Sequence, residues 1–250
     1  NTAIGYDALY TNVHGDGNIA LGYKALYTAA PADGTGYNVA IGHKALYDLT
    51  DGVYNIALGW LAGENITTGD NSVIIGNNAG QALTTQNENV LIGQIAGQDL
   101  TGQYNTFIGS AAGYNATSAD NNVLIGRQAG GAGVLTGDNN VVIGYAAGSD
   151  MTSAHSNVLI GLQAGQYITG GDENTVVGFL AGRNLSNGNY NTLMGWYAGY
   201  DLTSSHRNTF IGYAAGRDYN QTGDGYNVAI GMYAMFDIET GSANVAIGYN

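Results

Sequence analysis

The stretch Asn38-Val39-Ala40-Ile41-Gly42 reads as a polar residue, three apolar ones and a glycine. The pattern returns as Asn1-Thr2-Ala3-Ile4-Gly5, Asn157-Val158-Leu159-Ile160-Gly161 and Asn227-Val228-Ala229-Ile230-Gly231. Its closing glycine falls at 5, 22, 42, 59, 76, 93, 109, 126, 144, 161, 178, 195, 212, 231 and 248, mostly 17 residues apart. A repeat this short cannot bury an apolar face alone, so its copies must stack. The expected fold is all-β: a parallel β-solenoid, or β-roll, of about 15 coils. Residues 1–250 are expected to form one repetitive rod, roughly 70 Å long at about 4.8 Å per strand.

Each coil is read outward from its Gly. Four residues earlier stands Asn, at 18, 38, 55, 89, 105, 122, 140, 157, 174, 191, 208, 227 and 244, with Ser72 the exception. Stacked amides hydrogen-bond along a coil axis, so Asn18, Asn38, Asn55, Asn89, Asn105, Asn122, Asn140, Asn157, Asn174, Asn191, Asn208, Asn227 and Asn244 are expected to form a structural ladder. The residues three and one before the Gly are Val, Ile, Leu, Thr or Met. As period-2 neighbours they share a face, taken here as the inside of the coil. Three after the Gly stands Ala, from Ala8 to Ala234, which predicts a cramped site. Seven after it is usually apolar, as at Leu49, Ile66, Leu83, Met151 and Ile238, and predicts a second short strand. Two strands and two bends per coil follow. Insertions at Pro31 and at 221–225 are placed in the second bend.

The position two before the Gly is apolar throughout. By alternation it points outward if its neighbours point inward. Ile74, Leu91, Phe107, Leu124, Val142, Leu159, Val176, Leu193 and Phe210 are therefore expected to form an apolar stripe, an oligomer interface. Where this residue is Ala, the fourth residue after the Gly is usually Leu or Met, as in Ala8-Leu9-Tyr10 and Ala234-Met235-Phe236. Where it is large, that residue is Gly, as at Gly80, Gly97, Gly113 and Gly130. Two columns exchange volume, and the exchange is placed across the interface. Repeat four, with Ala57 and Gly63, is mixed, and Trp60 and Leu61 are expected to fill its gap.

Composition narrows the function classes. Charged residues make up 10% and apolar ones 44%, so a packed fold is expected rather than disorder. A net charge of −13 opposes binding to nucleic acid, whose phosphates demand basic stripes. With no Cys there is no disulfide. No apolar run is long enough to span a membrane as a helix, so no membrane insertion is expected of this segment. The chain opens inside the motif at Asn1 and is read as a segment of a longer fibrous protein. The four His, at 14, 43, 155 and 206, have no metal-ligand spacing. No nucleophile-elbow, phosphate-loop or HExxH pattern occurs. No catalytic, metal or cofactor-binding residue and no cofactor is expected. Nineteen Tyr, with Trp60 and Trp196, are candidate sugar-stacking platforms, though such residues also cover bends.

The strings NVAIG at 38–42, 227–231 and 244–248, NTAIG at 1–5 and NSVIIG at 71–76 resemble head repeats of YadA-like trimeric autotransporter adhesins. The opening NTAIGYDALYTN is also similar to repeats of phage and bacterial fibre proteins. The resemblance implies a left-handed parallel β-roll, three chains about one axis, with apolar strand faces turned toward the neighbouring chains. Its coils are longer than the usual head repeat, and no stalk, neck or membrane anchor pattern accompanies them.

The expected function is non-enzymatic: a structural, extracellular or cell-surface segment, or a virion tail-fibre segment, of an adhesin-like or phage-fibre-like filament. Its expected partner is itself, as a homotrimer and end to end in a filament, with a surface glycan or host receptor beyond. The alternative is an ice-binding or glycan-binding solenoid, suggested by consecutive Thr175, Thr192 and Thr209.

Overall fold

The computed structural model describes residues 1–29 and 34–250; Pro31 lies outside the described residues. The chain divides into two compact units, Asn1–Asn121 and Asn122–Asn250. Each is a parallel β-solenoid with a repeat of about 17 residues, and the described residues contain no helix.

In the first unit the strands are Thr2–Ile4, Ile19–Leu21, Val39–Ile41, Ile56–Leu58, Val73–Ile75, Val90–Ile92 and Thr106–Ile108. Each pairs in parallel with the next at equivalent repeat positions, as in Val39↔Ile56, Ala40↔Ala57 and Ile41↔Leu58. In the second unit they are Val123–Ile125, Val141–Ile143, Val158–Ile160, Thr175–Val177, Thr192–Met194, Thr209–Ile211, Val228–Ile230 and Val245–Ile247. There Val158↔Thr175, Leu159↔Val176 and Ile160↔Val177 show the same register. The insertion at 221–225 lies in the second bend, where Gly223–Asp224 pairs with Ser205–His206.

The second strand of each coil does not form. Opposite the sheet the second and fourth residues after the Gly are left-handed, as at Gln163 (φ 54°) and Gly165 (φ 56°). Left-handed residues break the pleat, so this side is a run of turns. The coils still hydrogen-bond there: Gln163 N–H donates to Tyr145 C=O at 2.9 Å, and Gly165 N–H to Ala181 C=O at 3.0 Å. The inward apolar residue survives without the strand. Leu49, Ile66, Leu83, Leu100, Met151, Ile168, Leu185 and Leu202 are buried, while Ile238 in the last coil is exposed.

The two faces of the strand are the reverse of the expected ones. Ile74, Leu91, Phe107, Leu124, Val142, Leu159, Val176, Leu193 and Phe210 are all fully buried inside their own chain. They are core, so they cannot supply an interface. Their neighbours one residue to either side are half-buried or exposed. The Asn four before the Gly shares parity with the residue two before it, and both turn inward. The buried Asn therefore marks which face is the inside.

The volume exchange is real and lies within the coil. A Cβ on Gly199 would stand 2.8, 3.1 and 3.4 Å from three atoms of Leu193. A Cβ on Gly130 would meet Leu124 at 2.9 Å. Where the strand carries Ala20 or Ala40, Leu26 or Leu46 occupies the Gly position and is fully buried. In the mixed fourth coil, a Cβ on Gly63 would meet Ile74 Cδ1 at 3.0 Å and Ile66 Cδ1 and Leu46 Cδ2 at 3.1 Å. Ile66 of this coil and side chains of the two adjoining coils fill that gap, whereas Trp60 is 55% exposed.

The closing Gly is required by a close approach. Gly161 has φ 135°, a region essentially confined to glycine, and a Cβ there would overlap the Gly178 carbonyl oxygen.

Candidate interaction surface

The outward sheet face carries two side chains per coil. In the first unit these are Thr2, Ile19, Val39, Ile56, Val73, Val90 and Thr106 in one column, and Ile4, Leu21, Ile41, Leu58, Ile75, Ile92 and Ile108 in the other. The second unit repeats this with Val158 and Ile160, Thr175 and Val177, Thr192 and Met194, and Thr209 and Ile211 among its pairs. Ile19, Ile41 and Ile56 are each near 40% exposed, and Met194 is 40% exposed. No charged residue stands in either column. An uncharged, largely apolar strip of this kind in each unit is uncommon on a monomer's surface.

Beneath the ribbon runs the Asn ladder. Asn157 Oδ1 accepts the Asn174 backbone N–H at 2.9 Å, and its Nδ2 donates to Gly171 C=O at 2.8 Å. Asn174 Nδ2 also donates to Asn157 Oδ1 at 3.0 Å. The pattern recurs at Asn38, Asn55, Asn105, Asn140, Asn191, Asn208, Asn227 and Asn244. Ser72 keeps it with a shorter reach: its Oγ accepts the Asn89 N–H at 3.2 Å. The rungs are therefore chiefly amide to backbone, with amide-to-amide bonds added.

A second ladder was not read from the sequence. Six residues before the Gly, side-chain acceptors take backbone N–H groups from the preceding coil. Asp138 N–H donates to His155 Nδ1 at 2.9 Å, His155 N–H to Asp172 Oδ1 at 2.8 Å, and Asn189 N–H to His206 Nδ1 at 3.0 Å. The position mixes Asp, Asn and His, which hid it. All three are short side chains that accept near their own backbone, and that is the shared signal.

Aromatic residues line the bends in columns. In the first unit most rings lie face to face, Tyr6 on Tyr23 at 5.5 Å, Tyr23 on His43 at 5.1 Å, Tyr10 on Tyr27 at 5.3 Å and Tyr27 on Tyr47 at 5.1 Å, while Trp60 meets His43 edge to face at 89°. Each stacked ring covers its neighbour's face, which disfavours sugar stacking on those rings. In the second unit the contacts are mostly edge to face, as for Tyr213 and Tyr233 at 82°.

The chain has six Lys and Arg residues, and each lies over an aromatic ring. Arg183 is 4.8 Å from the Tyr167 centroid, and Arg207, bonded to Asp224, is 5.2 Å from Tyr190. The cations are spent on intrachain contacts and form no basic stripe. Burial, and then the neighbouring Glu64, push the Asp48 carboxyl above its usual range, with Lys44 pulling it back.

Among the described residues no three His, Asp or Glu are grouped to hold a metal ion. His43 sits in a ring column, and His155 and His206 belong to the second ladder. No described helix is long and apolar enough to cross a membrane. No protein-family model matches the chain, and no curated protein matches it.

Proposed function

We propose that the chain is a non-enzymatic structural segment of an extracellular or virion fibre, self-associating through the outward face of its sheet. The carrying observation is the pair of apolar columns represented by Val158 and Ile160. Each half-exposed Val or Ile would gain about 1 kcal/mol on full burial, and two recur in every coil. A repeated small gain along a solenoid suits a long isologous or cyclic contact between copies. A trimer about an axis parallel to the coils, as in the adhesin heads that the repeats resemble, would bury both columns.

Thr175, Thr192 and Thr209 stand in register on successive strands, which supports an ice-binding reading. The partner column there is Val177, Met194 and Ile211, so the doubled Thr array such a face needs is not built. Self-association is the better reading.

The test is native mass under dilution for the wild type and for Ile143→Lys with Val177→Lys. The wild type should hold a multiple of 25.8 kDa, three chains for a trimer, and the double variant should be a folded monomer. A monomeric wild type would refute the proposal.

A further inference from the structure

We propose that the unit Asn122–Asn250 binds a neutral hexopyranose residue of a glycan in an aromatic cleft. The cleft, of about 320 Å³, is lined by Tyr197, Tyr200, Tyr213, Arg217, Tyr233 and Phe236. Its size is that of a site for a single small ring.

The chemistry follows from how these side chains are held. Tyr213 and Tyr233 meet at 82°, Tyr233 and Phe236 at 86°, and Tyr197 and Tyr200 at 66°. Edge-to-face contacts cover a ring with a neighbour's edge instead of a second ring. Trp196 stacks on Tyr197 at 22°, and Arg217 lies over Tyr197 and Phe236, so Tyr213, 40% exposed, and Tyr233 are the rings left to meet another molecule. The axial C–H groups of a pyranose fit such a face, and its hydroxyls need donors at the rim.

Arg217 supplies them. Its guanidinium lies over two rings, 5.8 Å from the Tyr197 centroid and 5.4 Å from that of Phe236. Its Nε is buried without a hydrogen-bond partner among the described residues. The nearest carboxylate oxygen, Asp218 Oδ1, is 3.6 Å away, too far for a hydrogen bond. The side chain remains 41% exposed, leaving its terminal nitrogens for a ligand. Tyr213 and Tyr233 hydrogen-bond to each other, and Tyr200 Oη accepts from Arg183 at 3.1 Å and keeps its own O–H to donate.

The ligand's charge is set by the surroundings. Asp218 Oδ1, 3.6 Å from Arg217 Nε, offsets the one cationic side chain of the cleft, so the cleft carries no net positive charge to select an anionic sugar over a neutral one.

The experiment is saturation-transfer NMR and calorimetry on the full chain with cellotriose, lactose, chitotriose and glucuronic acid. At least one neutral sugar should bind, with saturation at ring C–H protons. Arg217→Met and Phe236→Ser should each weaken it about tenfold or more while the circular dichroism stays unchanged. Trp60→Ala, in the first unit, should leave binding intact. The proposal is overturned if none of the neutral sugars binds, if only glucuronic acid binds, or if affinity survives both cleft substitutions. Loss of affinity in Trp60→Ala would also overturn it.

Discussion

Removing Leu193 and restoring its volume from the opposite side of the coil tests the packing in one cycle. Leu193 is fully buried, and a Cβ on Gly199 would press on three of its atoms. Leu193→Ala alone leaves a cavity and should cost about 2–5 kcal/mol. Gly199→Leu alone overpacks the same space, at about 1–3 kcal/mol. It also places Leu at φ 58°, at about 1–2 kcal/mol. If the sites were independent, the double variant would lose about 4–10 kcal/mol. The structure predicts otherwise, because Ala with Leu is the arrangement already present at Ala40 and Leu46. Only the left-handed cost should remain, about 1–2 kcal/mol, giving a favourable coupling of at least about 3 kcal/mol. Urea melts by circular dichroism measure the cycle, with hydrogen exchange at Thr192–Met194 as the local readout. Costs that simply add would refute packing of these two columns against each other.

Adjacent residues should behave in opposite ways. Leu159→Asp buries an unpaired charge and should unfold its coil, seen as lost hydrogen-exchange protection, whereas Ile160→Asp should leave the fold and abolish self-association by native mass. Ile95 is β-branched and left-handed at φ 53°, so Ile95→Asn should raise stability by about 1 kcal/mol in a urea melt. The raised pKa of Asp48 means that the fold holds this proton more tightly than the unfolded chain. Its contribution is therefore favourable below the usual carboxylate range and is lost as pH rises through the folded value. Asp48→Asn should accordingly melt higher than wild type at neutral pH, with the gap closing in acid.

The repeat made the parallel solenoid legible, because fifteen glycines in near-constant spacing admit few other folds. The Asn ladder was legible too, since one amide type recurs at one position. Which strand face is the inside was not. All three strand residues are apolar, so alternation alone gives two equivalent answers. The inside is marked by the parity of Asn157 with Leu159, and by the exchange between Leu193 and Gly199, which needs contact within a coil. The missing second strand was hidden for a different reason. Ile95 and Leu46 are poor candidates for left-handed backbone, and tertiary hydrogen bonding overrides their preference. The aromatic cleft depends on rings from three coils meeting around Arg217, a juxtaposition that repeat spacing does not reveal.

The most direct test of the central claim uses the absence of cysteine from the chain. Ile160→Cys and Gln166→Cys, on the strand face and in the turn run respectively, are oxidised at low concentration and run without reductant. Rapid covalent dimers are predicted from Ile160→Cys alone, because in the proposed assembly only the outward sheet face meets its copy. Equal cross-linking at both positions, or dimers from Gln166→Cys only, would contradict it.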